Sequence, residues 1–449
     1  RCYDAAPRSA IHHTFSLSAP MKPAEPPIPT LLAPLPQPTR AGTSPLWAVF
    51  AFTFANSLGS GVVTNGIVYM AKNGYGFSDA QNAWLMVLLG ATYIAGALGT
   101  QPLVVALRRR GIGTRGLLTI LMLAAAALCA IPQATLWLGL GRAPWTVWLL
   151  VGIYSPLTGV LWPLVESYVS GGRSGHALRS VTSRWNICWS SAVVIATFGI
   201  SSFVETQPAM TILMLGAIHL ACLAFLARFA KDPAPHLPEE HEPHPPVYSK
   251  LLVTFRLLLP MSYIVSSALG PYLPRAMAED ALNIEVKYQA MVGASWLVAR
   301  VLVFLILNRW HGWHGRWYPA VLGGLLLVGG FGAAVFAKPV DSIALLVAGL
   351  AMFGTGMAIV YSGALYYALE VGQAEVEAGG KHEALIGTGY TIGPGILLLA
   401  GYGVSSGVLS ENRFEPVVLG AVGAIAVVVA LMVVQRVLTQ VKDPLNRTH

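Results

Sequence analysis

Residues 231–250 read Lys231-Asp232-Pro233-Ala234-Pro235-His236-Leu237-Pro238-Glu239-Glu240-His241-Glu242-Pro243-His244-Pro245-Pro246-Val247-Tyr248-Ser249-Lys250. Proline removes a backbone donor and stops helices, and the charges here alternate in sign, so the stretch predicts an exposed linker. On both sides the chain is almost uninterruptedly apolar. The linker therefore divides it into two hydrophobic halves of similar length. Those halves predict two membrane-embedded helical bundles with a cavity between them.

Composition supports the same reading. Of 449 residues, 55% are hydrophobic and only 11% are charged. A water-soluble surface cannot be built from so few charges, so a polytopic membrane protein is expected. The net charge of +8 is not a nucleic-acid footprint, because the cations sit in short loops between apolar runs, where they set topology. Cys2, Cys129, Cys188 and Cys222 have no metal-ligand spacing, so neither zinc nor a disulfide is expected. No nucleotide-binding loop or zinc motif occurs, and no cofactor is expected. Residues 1–45 are rich in Pro and Ala and read as a disordered tail. The chain begins at Arg1, and Met21 is an alternative start.

A crossing needs about 20 apolar residues. That rule predicts twelve spans, at 46–71, 80–107, 115–134, 145–170, 181–203 and 209–230, then 250–273, 284–308, 318–337, 342–369, 384–407 and 415–438. The expected organisation is a tail (1–45), a six-helix bundle (46–230), a linker (231–249), a second six-helix bundle (250–438) and a C-terminal tail (439–449). Clusters of Arg and Lys alternate with weakly charged loops. By the positive-inside rule both termini and the linker face the cytoplasm, as in a multi-pass protein of the cell membrane.

The halves also read as repeats. Arg109 closes the second span and Arg309 the eighth, 200 residues apart. Glu166 ends the fourth and Glu370 the tenth, 204 residues apart. Matches at a nearly constant offset point to duplication of a six-span unit.

Six spans, a linker and six more spans resemble the major facilitator superfamily of secondary transporters, over roughly Pro45 to Val441. The basic loop Arg108-Arg109-Arg110-Gly111-Ile112-Gly113-Thr114-Arg115 after the second span, with a degenerate copy from Asn308 to Trp317, carries the resemblance further. Glu166 followed by Arg173 matches the Glu-x6-Arg spacing of sugar porters. Gln101 and Pro102 stand where that family has an acid near the end of the second span. The resemblance implies an all-α fold of twelve transmembrane helices in two pseudo-symmetric six-helix bundles. It also implies an inner gate, with Glu166 paired to Arg108, Arg109 or Arg110 and Glu370 to Arg309, and Arg173 in the same set. In this fold a central cavity is lined chiefly by spans 1, 4, 7 and 10.

Several polar residues inside the spans are candidates for binding a solute. Arg300, in Trp296-Leu297-Val298-Ala299-Arg300, either meets a polar or anionic substrate or Glu370, or extends its stem to the membrane interface. Asn186 and Trp189 share a helical face, and Tyr390 lies in the corresponding span of the second half. Asn56, Asn65, Tyr154, Trp162, Tyr263, Ser267, Tyr361 and Tyr367 complete the set, with Trp296 joining from span 8. Rings with amides, hydroxyls and few charges suit a sugar- or nucleoside-like solute.

The expected partners are lipid, a small-molecule substrate and protons, with facilitated diffusion the other option, because no acid is placed at the midplane. A monomer and a non-enzyme are expected. A drug or metabolite efflux antiporter and a non-transporting sensor are the alternatives. A membrane hydrolase using Ser174 and His219 is a third, and its serine falls in a basic loop.

Overall fold

The computed structural model describes residues 43–173, 175–235, 245–370 and 376–442. Twelve of its helices are long and apolar enough to cross a membrane. In chain order the first six are α1 (Leu46–Gly74), α2 (Asp79–Arg109), α3 (Thr114–Trp137), α4 (Trp145–Ser170), α5 (His176–Phe203) and α6 (Pro208–Leu226). The second six are α7 (Val247–Ala276), α8 (Val286–Arg309), α9 (Tyr318–Phe336), α10 (Ile343–Ala368), α11 (Gly379–Ser405) and α12 (Glu411–Gln435). The described residues contain no strand. This follows from the bilayer, where only intrahelical hydrogen bonds can satisfy every backbone group of an isolated span. The outer parts of both tails and residues 236–244 of the linker lie outside the described residues.

Local chemistry sets the helix ends. Ser78 and Gln81 form a capping box at the start of α2, and Arg108 and Arg109 occupy its last turn, opposite the helix dipole. The start of α3 has no side-chain cap of its own. Asp232, just beyond α6, supplies one: it accepts from the Thr114 N–H and hydroxyl, both at 2.9 Å, and from Arg108 at 3.3 Å. Partial burial pushes the Asp232 carboxyl up, but those donors outweigh it and hold the group below its ordinary range. The first linker residues are thereby tied to the α2–α3 loop.

Two helices start earlier than the apolar runs suggest. α5 begins at His176, which puts Arg179 and Arg184 on a helix. α11 begins at Gly379, which brings Glu383 into the span. In α1 the helix widens into two π-helical stretches, Val62–Gly66 and Met70–Gly74.

The helices form two six-helix bundles with matching internal pairings. α2 packs on α4 as α8 packs on α10, and α1 packs on α5 as α7 packs on α11. Between the bundles, α2 meets α11 and α5 meets α8. These two contacts exchange under the same twofold relation that links α2 to α8 and α5 to α11. Gly90 makes the first one possible, since a Cβ there would lie 2.5 Å from the backbone nitrogen of Thr391. α12 is the most peripheral helix and turns Val427, Val428, Leu431 and Val434 outward, as expected where the solvent is lipid.

The two faces of the protein differ. On the face away from the Arg108–Arg115 loop, the bundles are tied by polar contacts. Asn73 donates to Gln289 at 2.9 Å, Ser201 donates to the Lys287 carbonyl at 2.6 Å, and Arg275 approaches Asp79 at 3.5 Å. On the basic face, a vestibule of about 470 Å³ lies between α5, α8 and α10. It reaches the surface at the exposed His176 and His311.

Candidate functional site

Beyond the vestibule, at the level where the bundles meet, is a cavity of about 80 Å³. α1 contributes Thr64 and Asn65 from its first π-helical stretch, where they donate back to the carbonyls of Ser60 and Gly61 at 2.8 and 3.2 Å. Such bulges widen a helix and often mark binding sites. Trp162, Trp189, Tyr263, Trp296, Tyr361 and Tyr390 supply aromatic walls.

Arg300 occupies one side. It is 4% exposed, with its guanidinium carbon 4.6 Å from the ring centre of Trp189 and 4.9 Å from that of Trp296. Trp296 and Arg300 are four residues apart, so they share a helical face. Cation–π contact with two indoles gives the charge a partial counterpart inside the membrane. Its Nε has no hydrogen-bond partner, and no ion pair to it occurs among the described residues. Arg300 does not extend to the interface; its head is held in the cavity.

The other charge is Glu383, which sequence reasoning missed. It is 5% exposed and lines the same cavity. Its Oε2 accepts from the Tyr93 hydroxyl across the α2–α11 contact. Tyr93 meets Tyr390 edge-on at 5.8 Å, and Tyr390 meets Tyr263 at 5.4 Å. Glu166 approaches from α4: its Oε2 lies 3.2 Å from where a Cβ on Gly379 would sit. Gly379 and Glu383 are one turn apart, so Glu166 meets α11 one turn before Glu383.

The remaining sequence candidates fall elsewhere. Asn186 lines the vestibule, and its Oδ1 accepts from the Trp189 indole at 3.0 Å. Tyr154 lies within the first bundle, 2.7 Å from His219 Nε2. Tyr367 accepts from the Gly315 N–H and stacks on Phe255. Ser267 donates to the carbonyls of Tyr263 and Gly389. Asn56 is fully buried, with neither amide atom partnered. Ser174 lies outside the described residues, and its suggested partner His219 is engaged by Tyr154.

Among the described residues, no ion pair joins Glu166 to Arg108, Arg109 or Arg110. Arg108 is held by Asp232, while Arg109, Arg110 and Arg309 are exposed. Arg173 donates to the carbonyls of Tyr168, Val169 and Gly171, closing the end of α4. The Glu370 side chain lies outside the described residues. Glu166 therefore faces α11 and not the basic loop, because its position on α4 points it across the bundle contact.

A thin aromatic partition separates vestibule from cavity. Phe304 lines the vestibule, Trp189 and Tyr361 line the cavity, and the three rings touch at 5.8–6.5 Å. On the vestibule side, His314 stacks on Tyr366 at 4.0 Å. Burial, then the neighbouring His311 and Arg179, push its imidazole down to about 4, so it is neutral at physiological pH. Phe304→Ala removes two ring contacts, each worth about 1 kcal/mol. Labelling of a cysteine at Met357 by a reagent added from the basic face should then accelerate by up to roughly 30-fold. An unchanged rate would mean that Phe304 is no barrier.

No curated protein matches the sequence. Solved structures share its fold across nearly their whole length. The nucleoside transporter NupG is 14% identical with a TM-score of 0.53, covering 87% of this chain and 98% of that one. A POT family transporter in complex with 5-aminolevulinic acid is 12% identical with a TM-score of 0.60, covering 87% and 96%. The human organic anion transporter MFSD10 (TETRAN) is 14% identical with a TM-score of 0.55, covering 86% and 98%. The family model of the Major Facilitator Superfamily matches residues 49–378. With twelve apolar helices in two related bundles and that match over most of its length, this multi-pass membrane protein belongs to the Major Facilitator Superfamily.

Proposed function

We propose that the chain is a secondary transporter that moves a small polar solute through the central cavity by alternating access. The supporting observation is the position of that cavity. It lies between the bundles, behind cross-bundle hydrogen bonds on one side and a three-ring partition on the other. Rocking the bundles would break Asn73–Gln289 and its neighbours while closing the vestibule. By the distribution of Arg and Lys, the vestibule face is cytoplasmic. A drug-sized ligand commonly needs 300 Å³ or more. The cavity of about 80 Å³ therefore suits a small solute better than a bulky drug.

Counterflow tests this reading. Proteoliposomes preloaded with one member of a panel of sugars, nucleosides and amino acids should accelerate uptake of the same labelled solute. A solute that binds the purified protein but shows no counterflow would make the chain a sensor.

A further inference from the structure

The cavity is lined by a guanidinium and a carboxyl group that form no ion pair among the described residues. Arg300 reaches it from α8, in the second bundle. Its guanidinium lies against the faces of Trp189 and Trp296, with Nε unpartnered among the described residues. Glu383 reaches it from α11, at the seam with the first bundle, and its described hydrogen-bond partner is the Tyr93 hydroxyl. Both residues are more than nine-tenths buried and line one small space, yet no ion pair joins them. Ionisable groups at such depth are costly unless each finds an opposite charge. A neutral sugar or nucleoside would leave both unanswered, and a simple anion would leave Glu383 unanswered.

We propose that the solute is a small zwitterion, an amino carboxylate, with its carboxylate on Arg300 and its ammonium on Glu383. Guanidinium presents a planar fork of donors that matches a carboxylate, and here the two indoles hold it in place. At the other end Tyr93 donates to Glu383 and meets Tyr390 edge-on, and Trp162 lines the same cavity. Aromatic faces beside a carboxylate suit an organic ammonium. Glu166, reaching α11 from α4 at Gly379, one turn before Glu383, brings a second carboxyl group close to the first. The two groups sit on different helices of the second bundle, so the solute would bridge α8 and α11.

This inference rests on the transport reading but is tested apart from it, by binding. Thermal-shift measurements on the purified full-length protein in nanodiscs would use the twenty proteinogenic amino acids, β-alanine and γ-aminobutyrate. The expected result is stabilisation by at least one of them. The amide of that compound, which lacks the anion, should bind at least tenfold more weakly. So should its N-acetyl form, which lacks the cation. Arg300→Gln should abolish the shift, and Arg300→Lys should keep part of it. Glu383→Gln should weaken the parent compound tenfold or more while leaving the N-acetyl form unchanged. Monodisperse elution of each variant controls for folding.

No response to any of these zwitterions would overturn the assignment. So would an N-acetyl form that binds as tightly as its parent, or unchanged binding to Glu383→Gln. Uridine or glucose counterflow without an amino-acid response would sink this inference and leave the transport reading standing. Zwitterion binding without counterflow would do the reverse.

Discussion

Arg300→Ala is expected to reduce transport, as kcat/KM, by roughly 30-fold or more, since truncating one partner of a buried charge contact costs ~2 kcal/mol or more. Yield and elution of the folded protein should be unchanged. Arg300 makes no hydrogen bond that holds two helices together in the described structure; its contacts are the faces of Trp189 and Trp296. Removing it relieves a buried charge and leaves a space between two indoles, so the loss falls on the solute. Lysine keeps the charge but not the planar fork and stacks less well on an indole. Arg300→Lys should therefore lie between the wild type and alanine. Proteoliposome uptake measures all three. Normal kinetics in Arg300→Ala would remove the residue from the site.

The second large effect concerns packing one shell away. A Cβ on Gly354 of α10 would stand 2.0 Å from the Trp296 carbonyl oxygen and 2.8 Å from its carbon. These are backbone atoms of α8, which no side-chain rotation can relieve. Gly354→Val must push α8 and α10 apart, at a cost of ~3 kcal/mol or more by comparison with overpacked cores. Trp296, 5.3 Å from Phe353 and stacked on Arg300, would move with the helix. The melting point and solute affinity should fall together. Gly420→Val on α12 is the control: nothing lies within 4 Å of its added Cβ, so that variant should behave as the wild type. Equal stability of the two variants would contradict the close α8–α10 contact.

Most of the fold is legible in the sequence because lipid enforces it. An apolar run of sufficient length has to be a helix, and the linker from Lys231 marks the division into halves. The aromatic residues and Arg300 are legible as well: Trp296 and Arg300 are spaced one turn apart, and a charge in such a run has few places to go.

Glu383 is harder to see. It follows Lys381 and His382, and Glu375 and Glu377 lie just before. Those charges lower the local hydropathy and make the stretch look like a loop. The helix is nevertheless formed from Val376 onward, and the close approach of α2 buries Glu383 against Tyr93. The two π-helical stretches of α1 leave no periodic mark in sequence.

Nor does spacing tell which way a tyrosine turns. Tyr154 and Tyr367 pack within their own bundles, while Tyr361 and Tyr390 face the cavity. Of the inner gate inferred by resemblance, Arg108 is held by Asp232 in this structure.

Alternating access is tested most directly by locking the face that is closed in this structure. Asn73 and Gln289 would be replaced by cysteine in a background lacking the native thiols, then joined by a short bifunctional thiosulfonate. The crosslinked protein should lose flux, remain open to labelling from the vestibule, and recover transport on reduction. Full flux through a completely crosslinked sample would show that the bundles need not part there, and would contradict the mechanism.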